Sequence, residues 1–443
     1  MMKLFLLSAI IIITNSGTSQ NIGLGTESPA AKLHVKGSVD ASQLIIDANS
    51  TQNNTNPLIK LRKSDRSTLM WIHSDDYSNI FIGQNAGRAN NRTAGGFANT
   101  FIGNDVGYSN TTGDHNTAIG FSALADNTTG DDNAAYGSYA LEFNNGGRNT
   151  ARGKFSLRYN SSGSGNVACG YSTLYNNYSG SYNIAIGESS LYNNTTGWEN
   201  TAVGASALAA NNNHYNIAVG RSALYSTATA QYNVAVGYNA GRFYDNGYNN
   251  VFVGANTDVN GIGYFNVIAI GQGTVVGGSS VARFGNAATV SYGGWAGWTN
   301  VSDGRFKRNV EENVPGVDFI LKLRPVTYQL NATGLDAFYH KNDKAGNGLS
   351  VEGSAVHQKA LFEKEKITYT GFIAQDVAKA ATELGFDFSG VDLPKSENDA
   401  FGLRYAEFVV PLVKAVQEQQ QIIQQLQKQI DELKKEMQLI KNK

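Results

Sequence analysis

Asn99-Thr100-Phe101-Ile102-Gly103, Asn116-Thr117-Ala118-Ile119-Gly120 and Asn233-Val234-Ala235-Val236-Gly237 are copies of one short unit, Asn-x-(Ala/Phe)-(Ile/Val)-Gly. Its glycine recurs at Gly83, Gly103, Gly120, Gly137, Gly153, Gly170, Gly187, Gly204, Gly220, Gly237, Gly254 and Gly271. After a first interval of 20, the steps are 16 or 17 residues. A fixed period this short predicts one coil of a solenoid per repeat. Each coil should hold an inward strand, a corner and a return. Alternating Ala and Ile/Val are expected to face the axis, while Asn and Gly supply turns with positive φ. One coil cannot bury its own apolar face, so the coils must stack. A low-complexity linker would have no use for an apolar residue at a fixed phase.

Many copies continue into Ser-Ala-Leu, as at Ser122-Ala123-Leu124 and Ser222-Ala223-Leu224. They close on a polar turn such as Asn127-Thr128-Thr129-Gly130. Asn149-Thr150-Ala151-Arg152-Gly153 and Asn133-Ala134-Ala135-Tyr136-Gly137 drift, placing Arg or Tyr at the apolar position. Either those coils open to solvent or a neighbouring subunit fills the gap. Cys169, the single cysteine, occupies the same Ile/Val position and reads as a small buried hydrophobe. Asn-x-Ser/Thr triplets follow from the turn chemistry and are read as turns rather than glycosylation acceptors.

The array, residues 76–275, resembles the left-handed β-roll heads of trimeric autotransporter adhesins and the repeats of phage tail-fibre-type proteins. The resemblance implies a homotrimer with an adhesive or display role, facing a cell-surface or carbohydrate ligand. The period is longer than is usual in those heads, so the corner must be enlarged.

The rest of the composition agrees with a β-rich chain. Charged residues are 16% of the 443, against about 25% in an average soluble protein. There are 49 Gly and 6 Pro, which favours turn-dense β structure over helical bundles. The net charge of −1 argues against a nucleic-acid or anionic-membrane surface. No disulfide can form within the chain. The histidines lack metal-ligand spacing, so no metal site and no cofactor are assigned.

Residues 1–19 read as a secretion signal. Lys3 supplies the positive start, Leu4 to Thr14 is an apolar run too short to span a bilayer, and Gly17 and Ser19 precede a cleavage point before Gln20. The rival is an uncleaved membrane anchor. The mature chain is expected to be exported, extracellular or at the cell surface, with no membrane span. Residues 20–75 read as a β cap or attachment segment, with short strands around 21–26, 31–37, 44–47 and 58–61. Residues 276–300 read as a β connector with strands at 281–285 and 290–295. Trp295 and Trp298 are assigned to packing.

From Asn300 the composition turns to Lys, Glu and Asp. Ser302-Asp303-Gly304-Arg305-Phe306-Lys307 places a serine five residues before a lysine. On a helix that spacing separates the side chains by about 140°, and on a strand it puts them on opposite faces. They meet only if the segment turns sharply, which Gly304 would permit. If they meet, a neutral, desolvated lysine can take the seryl proton. Asp303 and Arg305 read as turn and ion-pair residues. Further on, 319–323 reads as the end of a short helix and 324–330 as a strand. Residues 331–366 read as an exposed loop or insertion, 371–377 as a strand or strand-to-helix turn, and about 377–384 as a helix. The final helix, 409–443, carries a heptad pattern. Val416, Ile423, Ile430 and Met437 fall at a, with Leu412, Gln419, Leu426, Leu433 and Ile440 at d, which predicts a coiled coil. β-Branched a residues with Leu at d lean towards a dimer, whereas the β-roll resemblance implies a trimer, which is the expectation adopted because Gln419 and Met437 blur the a/d rule.

Four motifs stand in order here: Ser302 to Lys307, Leu323-Arg324-Pro325-Val326-Thr327-Tyr328, Gly371-Phe372-Ile373-Ala374-Gln375-Asp376-Val377, and the Tyr405–Glu418 helix. Together they resemble the S74 peptidase family, the intramolecular chaperone domain of phage tail spikes and fibres. The resemblance implies that residues 301–408 form a small α+β autoprocessing domain that drives trimer assembly. It implies Ser302 as nucleophile, Lys307 as general base, and cleavage of the Val301–Ser302 bond, with Asp303 and Gly304 supporting the turn. The expected fold is thus mainly β: a solenoid fibre, this domain, then the coiled coil. Two other functions compete: an uncleaved adhesive scaffold with a C-terminal trimeriser, and a carbohydrate-active enzyme. The enzyme would need paired carboxylates in a cleft; the repeats are poor in Asp and Glu, and Asp131-Asp132 reads as a turn. Tyr171, Tyr175 and Tyr178 either bind sugar or cover the coil.

Overall fold

The computed structural model describes residues 22–24, 33–35, 46, 57–242, 246–295, 297–341 and 355–442. The expected secretion signal lies outside the described residues, as does the expected strand at 44–47 apart from Ile46.

The repeats build a β-solenoid. Three-residue strands, one per coil, pair in register along a 15-stranded sheet. Val167–Cys169 lies parallel to Ile184–Ile186 with Ala168 opposite Ala185, and the same pairing continues from coil to coil. Because side chains alternate along a strand, only the central residue can point inward. Ala118, Ala135, Ala168, Ala185 and Ala202 are fully buried. Phe81, Phe101 and Phe252 fill the same position near the ends.

This corrects the expectation that Ile and Val face the axis. They flank the buried alanine and point outward; Ile186, Val219 and Val236 are exposed. Arg152 and Tyr136 share that outward position, so the drifting copies leave no gap in the core. Cys169 is half-exposed for the same reason, not a buried hydrophobe.

The second half of the core comes from the Ser-Ala-Leu element. Leu124, Leu141, Leu157, Leu174, Leu191, Leu208 and Leu224 are fully buried at φ between 49° and 56°. A left-handed conformation costs a leucine about 1–2 kcal/mol. Complete burial of the side chain, worth about 1.5–3 kcal/mol, offsets it. The turn also bonds to the next coil, as in Leu174 N–H to the Ser190 carbonyl at 3.0 Å.

The unit's asparagines do something other than turn. Asn116, Asn149, Asn166, Asn183 and Asn233 are buried and bond to one another up the axis. Asn183 donates its backbone N–H (3.0 Å) and Nδ2 (3.1 Å) to Asn166 Oδ1, and Nδ2 also reaches the Gly197 carbonyl at 2.9 Å. A second ladder runs through the polar turns, where Asn177 Nδ2 donates to Asn160 Oδ1 at 2.6 Å and to Gly180 O at 2.8 Å. Asp75 closes both ladders at the first coil, accepting from Asn79 (2.8 Å) and Asn90 (2.9 Å). The repeated glycine is required by closeness and conformation: Gly170 sits at φ +141°, and a Cβ there would come 2.8 Å from Gly187 backbone.

The antiparallel hairpin Ile59–Arg62 and Thr68–His73 joins the first solenoid strand, Ile80–Ile82. Ile22–Leu24 and Leu33–Val35 pair parallel. At the other end the sheet runs past 275, to Ala282–Phe284. Residues 290–294 form no strand, contrary to expectation. Trp295 and Trp298 are exposed, so they do not pack into this chain as expected; Trp298 only approaches the Phe284 ring, at 6.4 Å.

Beyond the connector come α1 (Val317–Lys322), α2 (Ala332–His340), α3 (Ala355–Glu365), α4 (Ala374–Glu383) and α5 (Val409–Lys441). The strand Val326–Gln329 pairs antiparallel with Thr368–Gly371. Phe319, Val377, Ala380, Ala381, Phe388 and Phe408 form a small core. The expected loop at 331–366 instead carries α2 and α3. Asn331 caps α2 by accepting from Gly334 N–H at 2.7 Å, and the helices meet through buried groups. α5 is one continuous helix whose buried residues are Pro411 and Ala415. Among the described residues, no helix is long and apolar enough to cross a membrane.

Candidate functional site

Ser302 and Lys307 meet. A single 3-10 turn, Gly304–Phe306, folds the segment back, and Lys307 Nζ donates to Ser302 Oγ at 2.9 Å. The turn starts at Asp303, whose carboxylate accepts from Arg305 N–H at 2.9 Å and pairs with its guanidinium at 2.6 Å. Those bonds from Arg305 hold the Asp303 carboxyl below the usual carboxylate range. Gly304 is not the reason for the turn. Its φ lies outside the left-handed region, and a Cβ there would meet nothing within 4 Å.

The pair forms within one chain, so meeting does not require sister chains. What one chain lacks is shelter. Ser302 and Lys307 are exposed, and Val301 is 89% exposed. The side-chain hydrogen bonds and ion pairs of 302–307 stay within the segment.

The other three motifs come together behind it. Arg324 pairs with Asp376 at 2.7 Å, linking the second motif to the third. Tyr405 accepts from Phe372 N–H at 3.1 Å, and its hydroxyl occupies the space a side chain at residue 371 would need. The third motif is therefore a strand-to-helix turn, its strand ending at Gly371 and α4 starting at Ala374, a few residues earlier than expected. Glu418 of α5 reaches back to cap α1, accepting from Val317 N–H at 2.8 Å.

Sequence spacing hid one cluster. Asp336, His340 and His357 meet where α2 faces α3, with His357 Nε2 3.0 Å from Asp336 Oδ2 and His340 Nδ1 2.8 Å from the Asp336 carbonyl. The Asn331 cap was the available signal for α2; nothing in the spacing signalled His357. Among the described residues no group of His, Cys, Asp and Glu is arranged to hold a metal.

On the solenoid, aromatic rings stack from coil to coil. Tyr139 lies 5.3 Å from Phe155, and Tyr175 lies 5.1 Å from Tyr192 at an interplanar angle of 2°. Arg158 sits 5.1 Å from the Tyr139, Phe155 and Tyr159 rings and pairs with Glu142 at 2.5 Å. Tyr175 also meets Phe155 and Tyr159 edge-on, while Tyr171 and Tyr178 are exposed. Asp131 accepts from the Asp114 backbone N–H at 2.8 Å, an inter-coil turn contact.

Among the described residues, two apolar surfaces are exposed. The heptad residues Val416, Ile423, Leu426, Ile430, Leu433 and Met437 are all exposed. The outward face of the long sheet exposes its own column of Ile and Val.

Residues 302–386 match the family model of Peptidase S74, described as the chaperone of endosialidase. The match begins at Ser302. No curated protein matches the chain.

Proposed function

We propose that this protein is an exported, surface-exposed homotrimeric β-fibre, of adhesin or tail-fibre type, whose C-terminal domain drives assembly and then cuts the chain before Ser302. A solenoid followed by a chaperone-family segment supports the fibre reading. The observation that carries the cut is the 2.9 Å contact between Ser302 Oγ and Lys307 Nζ at the first residue of the family match.

The chemistry balances as an acyl shift followed by hydrolysis. Neutral Lys307 takes the Ser302 hydroxyl proton, and Oγ attacks the Val301 carbonyl carbon. The C–N bond to Ser302 breaks, and its nitrogen leaves as an amine after receiving the proton. Water then cleaves the ester, leaving a Val301 carboxylate and a new N-terminal serine. Burial by sister chains would disfavour the ammonium and switch the base on. Assembly thus gates the cut.

The chaperone role has a kinetic basis. Coils that look alike can pair out of register, and non-local pairing is slow. Three α5 helices joined through the exposed heptad face would fix the register before the solenoids associate.

A second reading keeps the domain as an uncleaved trimeriser, and the exposure of Ser302 and Lys307 favours it. Expressing the full chain and running a denaturing gel separates the two. The cut predicts a fragment whose N-terminus is Ser302, absent from Ser302→Ala. Assembled oligomer that persists as one intact polypeptide supports the second.

A further inference from the structure

The scissile bond lies in an exposed strip. Residues 290–294 and 297–303 have no regular structure, and Trp295, Trp298 and Val301 stand in solvent. Among the described residues, the hydrogen bonds and ion pair that join solenoid to C-terminal domain lie elsewhere. Asn260 Nδ2 donates to the Asn398 carbonyl at 2.7 Å, and Asn398 Nδ2 returns a bond to the Asn260 carbonyl at 3.2 Å. Ser396 Oγ donates to the Gly277 carbonyl at 2.7 Å. Arg283, on the last strand, donates to Tyr339 Oη at 2.9 Å, lies 4.2 Å from that ring's centroid, and pairs with Asp399 at 3.5 Å. Lys364 donates to the Thr289 carbonyl at 2.6 Å. Packing is close as well: a Cβ at Gly277 would come 2.7 Å from the Asn398 carbonyl oxygen.

Every solenoid-side partner precedes residue 301, and every domain-side partner follows 302. Hydrolysis of that bond removes none of them. We infer that the cut does not release the C-terminal fragment: it stays bound, through this polar interface, as a non-covalent cap on the last coil. The partner this solenoid end recognises is the chain's own 302–443 segment. The inference deepens the proposed self-cleavage and rests on it for its biological setting. In a trimer, three fragments held by α5 would dock together, and each bound copy would raise the effective concentration of the next. Because the contacts are hydrogen bonds, one guanidinium–ring contact and one partly exposed ion pair, high salt weakens chiefly the Arg283–Asp399 contribution.

The test separates docking from self-cleavage. A recognition site for a sequence-specific protease is inserted between Trp298 and Val301 of the full chain carrying Ser302→Ala, and the protein is cut to completion, checked on a denaturing gel. Size-exclusion chromatography at low salt should then recover both fragments in one peak. Tyr339→Phe with Asp399→Asn removes the hydroxyl and the carboxylate charge that Arg283 meets on the C-terminal domain, at nearly constant size, and should raise the fragment's dissociation rate by roughly tenfold or more. Fragments that separate at once, or a double variant that dissociates no faster, overturn the inference. If the native chain never cuts itself but the engineered cut leaves a stable complex, self-cleavage fails and docking stands.

Discussion

Ser302 and Lys307 show how far residue identity reaches. Their spacing excluded a meeting on a helix or a strand and demanded a turn, and the turn is there. The glycine assigned to it has another standing, since its backbone is not left-handed and a Cβ would sit in open space. Gly304→Ala should therefore leave the fragment pattern on a denaturing gel unchanged. Lys307→Arg keeps the positive charge but cannot give up its proton, and is expected to leave a single full-length band. Loss of cutting in Gly304→Ala would mean that another chain or an oxyanion approaches that glycine. The asparagines were harder to read. Gly and Asn both signal turns, and nothing in one copy distinguishes a turn asparagine from one stacked in a ladder; only the in-register stacking of coils does. Asn183→Ala strands the Asn200 backbone N–H and leaves the Gly197 carbonyl with the Asn194 side chain alone. It should lower the unfolding free energy by about 1–3 kcal/mol, measured by urea titration against wild type. The left-handed leucines escaped for a similar reason, because that conformation is disfavoured for leucine and persists only where complete burial offsets it.

Among the elements, the third C-terminal motif turns on Gly371, where the Tyr405 hydroxyl fills the place of a side chain. Gly371→Ala should destabilise the domain. Tyr405→Phe removes the clashing oxygen and also the bond to Phe372 N–H, so the double variant should be more stable than the sum of the single losses. A thermal-melt cycle without such coupling would place the glycine's role elsewhere. The N-terminal hairpin carries a pH response. His73 is buried between Trp71 and Phe81, 6.4 Å and 5.1 Å away, and neither ring nitrogen has a hydrogen-bond partner. Burial lowers its pKa, opposed by the charge of Asp75. The unfolded chain therefore binds the proton more readily than the folded one, so stability rises with pH through this window. The contribution is complete above the ordinary histidine value and is lost as pH falls toward the depressed one. Amides of Thr68–His73 and Ile80–Ile82 should exchange faster at pH 5 than at pH 7 after correction for intrinsic rates, and His73→Phe should flatten that difference.

At the level of the whole molecule, period and phase were enough to read the solenoid, because stacking is the one way such short units bury an apolar face. The facing was misread: a strand of three residues has room for one inward side chain, and the flanking Ile and Val go to the surface. That misreading bears on assembly. The chain displays two apolar columns, one on the long sheet and one on α5, and the proposed gate requires that association come before cutting. The α5 column is the better seed, since heptad packing needs no prior solenoid register. Leu426→Asp with Leu433→Asp places charges in that seam without touching residues 302–307 or the α1–α5 contact at Glu418. The variant should sediment as a monomer and stay uncut, while wild type sediments as a larger species and yields the fragment starting at Ser302. A monomeric variant that still cuts itself would mean that the hydrogen-bonded pair needs no shelter from neighbours, and the gate would have to lie within the single chain. A variant that remains oligomeric would shift the seed to the Ile and Val column of the sheet, where Ile186→Asp with Val219→Asp becomes the decisive change.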